Sequence, residues 1–551
     1  MPPNPTAAQV LVAALHNLGV DRVFCVPGES YLAVLDALVD QNPPIDVIVC
    51  RHEASAANMA EAHAKLTGKL GVCMVTRGPG ATHASVGLHT ARQDSTQLLL
   101  LIGQVALADR TREAFQEIDY RGFFGPICKW AEELDQPDRV GEFIARAAAI
   151  ATQGRPGPVA LALPEDVLTT TVTTGPYPRT QVHPSGLSPT AAAKVAAALD
   201  EAERPLILAG GSGWGDAGRA ALAALTEKTH IPVVLSFRRK DLLDNTHPGY
   251  AGDLGLGTNP KLLKRIADAD LIVAIGARLG ENPSQGYGLF SPSETAAKLV
   301  HLHPDPEELG RVWPARIAAV ADSTLACTAL LNHLESPPER RTAWRDAAHG
   351  DTLAFRAPVA VGGRVNLSEV FTHLSSYLPA DAIVCNGAGN YAAWLHRYMV
   401  HRAGGRQLAP TSGAMGYGLP AAIAAKLAHP ARAVVAVAGD GCFMMAAQEL
   451  ATAAQYGAQI LVIVVDNSSY GTIRMHQERH YPGRVMATDL QNPDFVAFAH
   501  SFGFAAERVE ETSAFPAALS RTLAAGRPAL LHLVTSVDDI SPGRRLSAPA
   551  P

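Results

Sequence analysis

Asp440 and Asn467 are the residues whose types and spacing best suit chemistry. Asp440 stands in Gly439-Asp440-Gly441, and Asn467 stands one strand–helix–strand length later in Asp466-Asn467-Ser468-Ser469. Each closes a short apolar, β-branched run, Val434 to Ala438 and Ile460 to Val465, that reads as a buried strand. Between them Met444 to Tyr456 carries helical periodicity until Gly457 stops it. Such a unit crosses over right-handed and leaves both strand ends on one edge of a parallel sheet, so the two side chains meet one crevice. A carboxylate, an amide oxygen and a nearby backbone carbonyl are hard donors that suit Mg²⁺, which completes its octahedron with phosphate and water. The glycines beside Asp440 let backbone approach a phosphate, and the helix start beyond them offers free N–H groups. Gly-Asp-Gly alone also serves as an ordinary βα turn with an Asp cap; the Asn at this spacing tells against that.

Glu53, in Arg51-His52-Glu53-Ala54, follows the run Asp46 to Cys50 and opens the helical stretch Ala54 to Leu66. An acid at a helix amino terminus is favourable on electrostatic grounds alone. Two Gly-rich stretches stand out: Asn386-Gly387-Ala388-Gly389-Asn390, ending the run Ala382 to Cys385, and Ser412-Gly413-Ala414-Met415-Gly416-Tyr417-Gly418-Leu419-Pro420. Arg474, His476, Arg479, His480 and Arg484 make a basic stretch after Asn467. It reads either as a solvated helix face or as a grip for an anionic substrate, because Arg presents a planar fork to carboxylate.

The elements that must position these groups fill 551 residues, too many for one core. Hydrophobic content of 47% with 18% charged residues fits compact α/β domains. With 46 basic and 52 acidic residues the net charge is −6, and no nucleic-acid partner is expected. Seven cysteines (Cys25, Cys50, Cys73, Cys128, Cys327, Cys385 and Cys442) lie mostly in apolar runs and read as buried hydrophobes in a reducing cytosol. Met1 to Thr6 lacks a leader pattern and no run of eighteen apolar residues occurs, so a soluble, cytoplasmic protein without membrane contact is expected. The fold class expected is three consecutive doubly wound α/β domains with mostly parallel sheets, at 1–168, 189–335 and 360–540. Thr169 to Ser188 reads as the first linker, Ser336 to Arg345 as a charged bridge, and Ser541 to Pro551 as a mobile tail.

On these residues the whole chain resembles the thiamine diphosphate dependent enzymes of the acetohydroxyacid (acetolactate) synthase and pyruvate decarboxylase superfamily. The resemblance implies a pyrimidine-binding, a central and a diphosphate-binding domain in that order. It implies Mg²⁺ on Asp440, Asn467 and the main-chain carbonyl of Ser469, with Gly387, Ala388, Asn390, Gly439, Gly441 and Cys442 around the cofactor. Met415 would wedge between the cofactor's rings, and the Gly413 carbonyl would accept from its 4′-amino group. Glu53 would hydrogen-bond N1′ and so help remove the C2 proton, giving an ylid that adds to a 2-oxo acid; loss of CO₂ then gives an enamine. Family enzymes place the Glu and the metal on different subunits, which implies a homodimer or homotetramer with each site at a dimer interface.

The substrate side departs from the synthases. Arg77-Gly78-Pro79-Gly80-Ala81-Thr82-His83 resembles their first-domain loop, with Arg77 where Ser is usual and His83 where Asn is usual. Phe115, Gln116 and Lys129 are similar to their substrate-channel residues, and His476 replaces the Trp that sets a 2-ketobutyrate preference. Glu29, in Val26-Pro27-Gly28-Glu29, falls where the decarboxylases carry an Asp and offers a second proton-transfer group. Gln116 favours ligation to a carbonyl acceptor, Glu29 favours protonation and release, and Arg77 is the expected carboxylate contact. In the middle domain Gly210-Gly211-Ser212-Gly213 could cradle phosphate or pack a tight βα turn. Gly276-Ala277-Arg278-Leu279-Gly280-Glu281-Asn282 lacks the acidic pair and Arg of the flavin-containing synthases, so FAD is not expected. The expected function is a thiamine diphosphate and Mg²⁺ dependent carboligase or decarboxylase of a 2-oxo acid. Alternatives are a flavin-dependent oxidoreductase resembling pyruvate oxidase, a non-decarboxylating acyloin or 2-hydroxyacyl lyase, and a non-catalytic relative, against which the intact Glu53, Asp440 and Asn467 tell.

Overall fold

The computed structural model describes residues 4–334 and 339–546; the first three residues of the Pro-rich start, 335–338 of the bridge region and 547–551 of the tail lie outside it. The chain forms three six-stranded sheets, and every strand pair in them is parallel. The first contains β1 (Arg22–Cys25), β2 (Asp46–Val49), β3 (Gly71–Val75), β4 (Leu98–Gln104), β5 (Trp130–Glu133) and β6 (Pro158–Pro164), in the order β2-β1-β3-β4-β6-β5. The second contains β7 (Pro205–Ala209), β8 (Val233–Leu235), β9 (Tyr250–Asp253), β10 (Leu271–Ile275), β11 (Leu299–His303) and β12 (Ile317–Val320), in the order β12-β11-β10-β7-β8-β9. The third contains β13 (Ile383–Asn386), β14 (Arg406–Leu408), β15 (Val434–Gly439), β16 (Leu461–Asp466), β17 (Ala505–Val509) and β18 (Ala529–Val534), in the order β14-β13-β15-β16-β18-β17.

The central strands are apolar along their length because helices cover a parallel sheet on both faces; β3, β4, β6, β7, β10 and β16 are buried throughout. The first and third sheets share one winding order, and the middle sheet follows the dinucleotide-fold order. In the first and third sheets winding turns back at the far edge, where β6 and β18 insert inside β5 and β17; in all three sheets it reverses between β1 and β3, between β7 and β10, and between β13 and β15. A doubly wound sheet can open a crevice at that point, beyond the carboxyl ends of its strands. Among the described residues no helix is long and apolar enough to cross a membrane.

Two stretches depart from the sequence expectation. The helix expected over Met444 to Tyr456 is broken into Asp440–Met444, a single 3₁₀ turn Ala447–Glu449 and Leu450–Gln455. The break turns Glu449 inward, where its carboxylate accepts the Arg51 N–H at 3.1 Å and the Thr452 hydroxyl at 2.5 Å. The charged bridge becomes, from Glu339 on, the helix Glu339–Phe355. It packs back on the middle domain, with Trp344 Nε1 donating to the Pro205 carbonyl at 3.0 Å.

The helices Glu53–Thr67 and Pro79–Asp94 lie against each other, and Gly418–Ala428 of the third domain packs on the first of them. Their closest approach needs Gly87, since a Cβ there would stand 2.4 Å from Ala57 Cβ. Gly87→Val should overpack this contact and lower stability by about 1–3 kcal/mol, read as a fall in the urea midpoint; an unchanged midpoint would mean the helices part freely.

Candidate active site

In the third domain β15 pairs with β16 so that Gly439 faces Val465, and both strands end together. Asp440 starts the helix after β15, and Asn467 follows Asp466 at the end of β16. With the loop after β13 they border a cavity of about 240 Å³ at the point where the winding reverses, lined among others by Ala388, Asn390, Gly413, Met415, Asp440 and Asn467. Gly439, Gly441, Cys442 and Ser469 also line it. Gly387 lies just behind, where an added Cβ would stand 2.5 Å from Cys442 Sγ. Thr472 Oγ1 donates to Asn390 Oδ1 at 2.9 Å and so ties the β13 loop to the helix Gly471–His480.

The two acidic groups here are held by a residue that the sequence did not single out. Asn492 Nδ2 donates to Asp440 Oδ2 at 2.8 Å and to Asp466 Oδ1 at 2.9 Å. His532 Nε2 bonds Asp466 Oδ2 at 2.8 Å. Burial, with the Asp466 charge beside it, raises the Asp440 carboxyl above its ordinary pKa, although the Asn492 bond opposes this. Burial acts in the same sense on Asp466, but the bonds from His532 and the Ser468 N–H outweigh it and hold that carboxyl below its usual range. Asp440, Asn467 and Ser469 line the same cavity, and their oxygens are hard donors of the kind that suits a hard cation, with Asn467 Oδ1 also accepting the Ser469 N–H at 3.2 Å. Ser469 Oγ is buried without a hydrogen-bond partner, as a group awaiting a polar ligand would be.

The first domain gathers a second set on its own carboxyl-end edge. Glu53 opens its helix, and its Oε2 lies 3.0 Å from His83 Nδ1. The His83 ring stacks on His52 at 4.7 Å between centroids. These three place metal-ligand atoms within 4.8 Å of one another. His52 Nδ1, however, accepts the Ala54 N–H, and burial with His83 beside it lowers the His52 pKa, so its other nitrogen carries the proton. Arg77, 11% exposed, lies 3.4 Å from Glu29 and 3.3 Å from Glu165. Gln116, at φ +65°, sits against Gly78 with its Oε1 buried and unpartnered. Phe115 is 74% exposed. His476 is exposed on the helix Gly471–His480, and Arg474 there is paired with Glu478.

Lys129 is not brought to this edge. It precedes β5, at the amino end of the sheet, and its Nζ donates to the Gln153 and Arg155 carbonyls at 2.7 and 2.9 Å. Burial pushes its pKa down to about 8. Nor does Glu53 line the third-domain cavity, whose walls come from Leu367 onward.

Comparison with known proteins matches all three units to thiamine pyrophosphate enzyme domains: the N-terminal TPP binding domain over 5–123, the central domain over 192–330 and the C-terminal TPP binding domain over 387–533. The acetolactate synthase large subunit of Parasynechococcus marenigrum is 33% identical, with 97% of this chain and 88% of that protein covered. The acetolactate synthase isozyme 2 large subunit of Escherichia coli is 30% identical over 97% and 96% of the two chains. A probable acetolactate synthase large subunit of Methanocaldococcus jannaschii is 32% identical over 98% and 94%. The chain belongs to the thiamine pyrophosphate enzyme family. It is a thiamine pyrophosphate dependent enzyme of the acetolactate synthase type, and the open cavity lies in its C-terminal TPP binding domain.

In the central TPP-enzyme domain the crevice between β7 and β10 is filled by the protein itself. A Cβ on Gly211 would stand 2.0 Å from the Gly276 carbonyl oxygen, and buried Trp214 donates Nε1 to the Gly210 carbonyl at 2.7 Å. The Gly-rich turn thus serves close packing.

Asn492 is the one side chain bonded to both Asp440 and Asp466 among the described residues. Asn492→Ala should weaken divalent cation and thiamine pyrophosphate binding together by about 10–100-fold. Quenching of the Trp394 fluorescence from the cavity wall provides the measurement, and unaltered titration curves would remove Asn492 from the site.

Proposed function

We propose that this enzyme is a thiamine diphosphate and Mg²⁺ dependent carboligase and decarboxylase of a 2-oxo acid. The observation that carries the reading is the pairing of β15 with β16 up to Gly439 and Val465, which brings Asp440 and Asn467, each just past a strand end, to the wall of one cavity between the two Gly-rich loops. Asp440, Asn467 and the Ser469 carbonyl hold Mg²⁺. Gly387, Ala388, Asn390, Gly439, Gly441 and Cys442 surround the diphosphate, and Gly413 and Met415 shape the bend of the cofactor. Bound there, thiamine diphosphate supplies a carbon nucleophile for the substrate carbonyl and an electron sink for the pair left when CO₂ departs.

The chain's own groups then move protons and exclude water. Glu53 holds the proton of the aminopyrimidine. His83, bonded to Oε2, orients that carboxylate and leaves Oε1 for the cofactor. Glu29 is the second proton-transfer group, 59% exposed and steadied by Arg77. Gln116 and Phe115 face the carbonyl acceptor, and the basic helix carrying His476 closes over an anionic substrate. Since Glu53 lies outside the cavity walls of its own chain, the site is completed by a second copy: a homodimer, or a homotetramer built from it. The reactants are small molecules in the cytoplasm, and neither nucleic acid nor membrane takes part.

The decisive experiment incubates the protein with Mg²⁺, thiamine diphosphate and a panel of 2-oxo acids and aldehydes and identifies products by mass. Release of CO₂ with an acetolactate or acyloin product is expected. A product that keeps the donor's carboxylate, or no product, overturns the reading.

Glu53→Gln should cut turnover by about 10²–10⁴-fold with thiamine diphosphate still bound. Mixing Glu53→Gln with Asp440→Ala chains tests the shared site, because a mixed dimer has one intact pair. Such mixtures should regain about a quarter of the normal rate, whereas sites confined to one chain would regain nothing.

A further inference from the structure

The central domain sends one charged side chain into the third domain. Beyond β8 the chain takes a left-handed conformation at Arg238, φ +59°, unusual for a side chain of this size. The turn carries the guanidinium inward until the residue is 1% exposed, with Phe237 beneath it at 4.8 Å. Arg238 Nη2 donates to the Gly387 carbonyl at 3.0 Å, and Nη1 donates to the Pro410 carbonyl.

These two carbonyls belong to the two loops that line the cavity. The Pro410 oxygen also accepts the Gly413 N–H at 3.0 Å, so Arg238 holds the turn that presents Gly413. The Gly387 oxygen also accepts Asn386 Nδ2 at 2.8 Å. A trans peptide points its C=O and N–H in opposite directions. Fixing the Gly387 carbonyl therefore fixes the Ala388 N–H on the side away from Arg238, and Ala388 lines the cavity.

The charge itself is left without a matching carboxylate. Among the described residues Arg238 forms no ion pair, and its Nε has no hydrogen-bond partner. Asp94, whose negative charge reaches it, is bonded to Lys65 Nζ at 2.6 Å. A buried guanidinium facing only carbonyl dipoles is costly, and a nearby anionic ligand would relieve that cost. Arginine suits this place because it stays charged when buried and offers a rigid fork to two acceptors at once.

We infer that Arg238 is a positioning residue for the cofactor's diphosphate, setting both cavity loops and supplying a positive charge that the bound diphosphate balances. This rests on the reading that the cavity takes thiamine diphosphate. It assigns to the central domain a part in cofactor binding that its own filled crevice does not play.

The test compares the full-length wild type, Arg238→Met and Arg238→Lys. It measures the melting temperature without cofactor and the dissociation constants, with Mg²⁺, for thiamine diphosphate, inorganic pyrophosphate and thiamine. In Arg238→Met the cofactor-free protein should melt at the same or a higher temperature. Its constants for thiamine diphosphate and pyrophosphate should rise by about 10–100-fold, and that for thiamine should stay within about twofold. Arg238→Lys should recover part of the loss. Equal weakening for thiamine and thiamine diphosphate, or a lower melting temperature with unchanged affinities, would reduce Arg238 to a packing residue. If Arg238→Met does not fold, Arg238→Lys carries the test: pyrophosphate binding weaker than wild type supports the inference, and equal binding overturns it. A wild type that binds neither diphosphate would overturn the proposed function as well, whereas normal wild-type binding with an unaffected variant overturns this inference alone.

Discussion

The pairing of β15 with β13 on one side and β16 on the other brings three strand ends to one line. Everything at the cavity hangs from those ends, because winding reverses between β13 and β15 and the crossover helices leave in opposite directions. The same reversal occurs in the other two sheets, yet each is filled by its own residues. In the first, Gly28 is pressed against Thr76, and Arg77 bridges from β3 to Glu29 after β1. In the second, Gly211 meets the Gly276 carbonyl, and Trp214 closes the remaining space. Sheets of related topology thus differ at this point among the described residues, and the difference lies in a few loop residues.

The helix Glu53–Thr67 joins the first domain to the third through buried polar contacts. Its Glu61 accepts the Thr96 hydroxyl at 2.6 Å and the Tyr417 hydroxyl at 2.5 Å, and burial raises the Glu61 pKa. Lys65 bonds Asp94 and the Ala409 carbonyl at 3.0 Å, while Asp94 accepts the Thr411 N–H at 2.6 Å. Tyr417 stands two residues beyond Met415. The element that begins with Glu53 therefore also backs the Met415 loop of its own chain. Each buried polar atom in such a network depends on its neighbours, so its members act together more than singly.

The sequence displayed the groups that sit at strand ends, because apolar β-branched runs mark the strands and Gly-flanked polar residues mark the turns that leave them. Asp440 and Arg77 stand beside glycines at such ends, and Asn467 and Glu53 follow such runs within a few residues. A short, half-exposed strand need carry no such run: β5 is Trp130–Glu133, with two acidic residues in four. Asn492 lay in an ordinary loop, and Arg238 in a charged stretch that reads as surface; only the folded chain brings one to Asp440 and the other to Gly387. Lys129 has the right chemistry at the wrong end of its strand, a distinction that depends on knowing where β5 begins. The charged bridge after the second domain became a helix because Trp344 and Ala348 supply an apolar face that the basic residues around them hide.

The position of Arg77 joins the sequence expectation of a carboxylate contact to a structure in which two carboxylates already surround it. Glu29 and Glu165 are 59% and 47% exposed, so water screens both pairs, and exposed pairs of this kind contribute about 0–1 kcal/mol each. Such partners hold the guanidinium in place at little cost to its exchange. Under the proposed function, a substrate carboxylate arriving at this edge would meet an Arg already oriented, with its Nε buried. Displacing Glu29 would leave a free carboxylate on the same sheet edge as Glu53 and His83, whereas displacing Glu165 would leave the Glu29 pair intact. Under the proposed function, the partner that a substrate carboxylate would displace sets whether Glu29 is left unpaired beside Glu53 and His83 or stays held by Arg77.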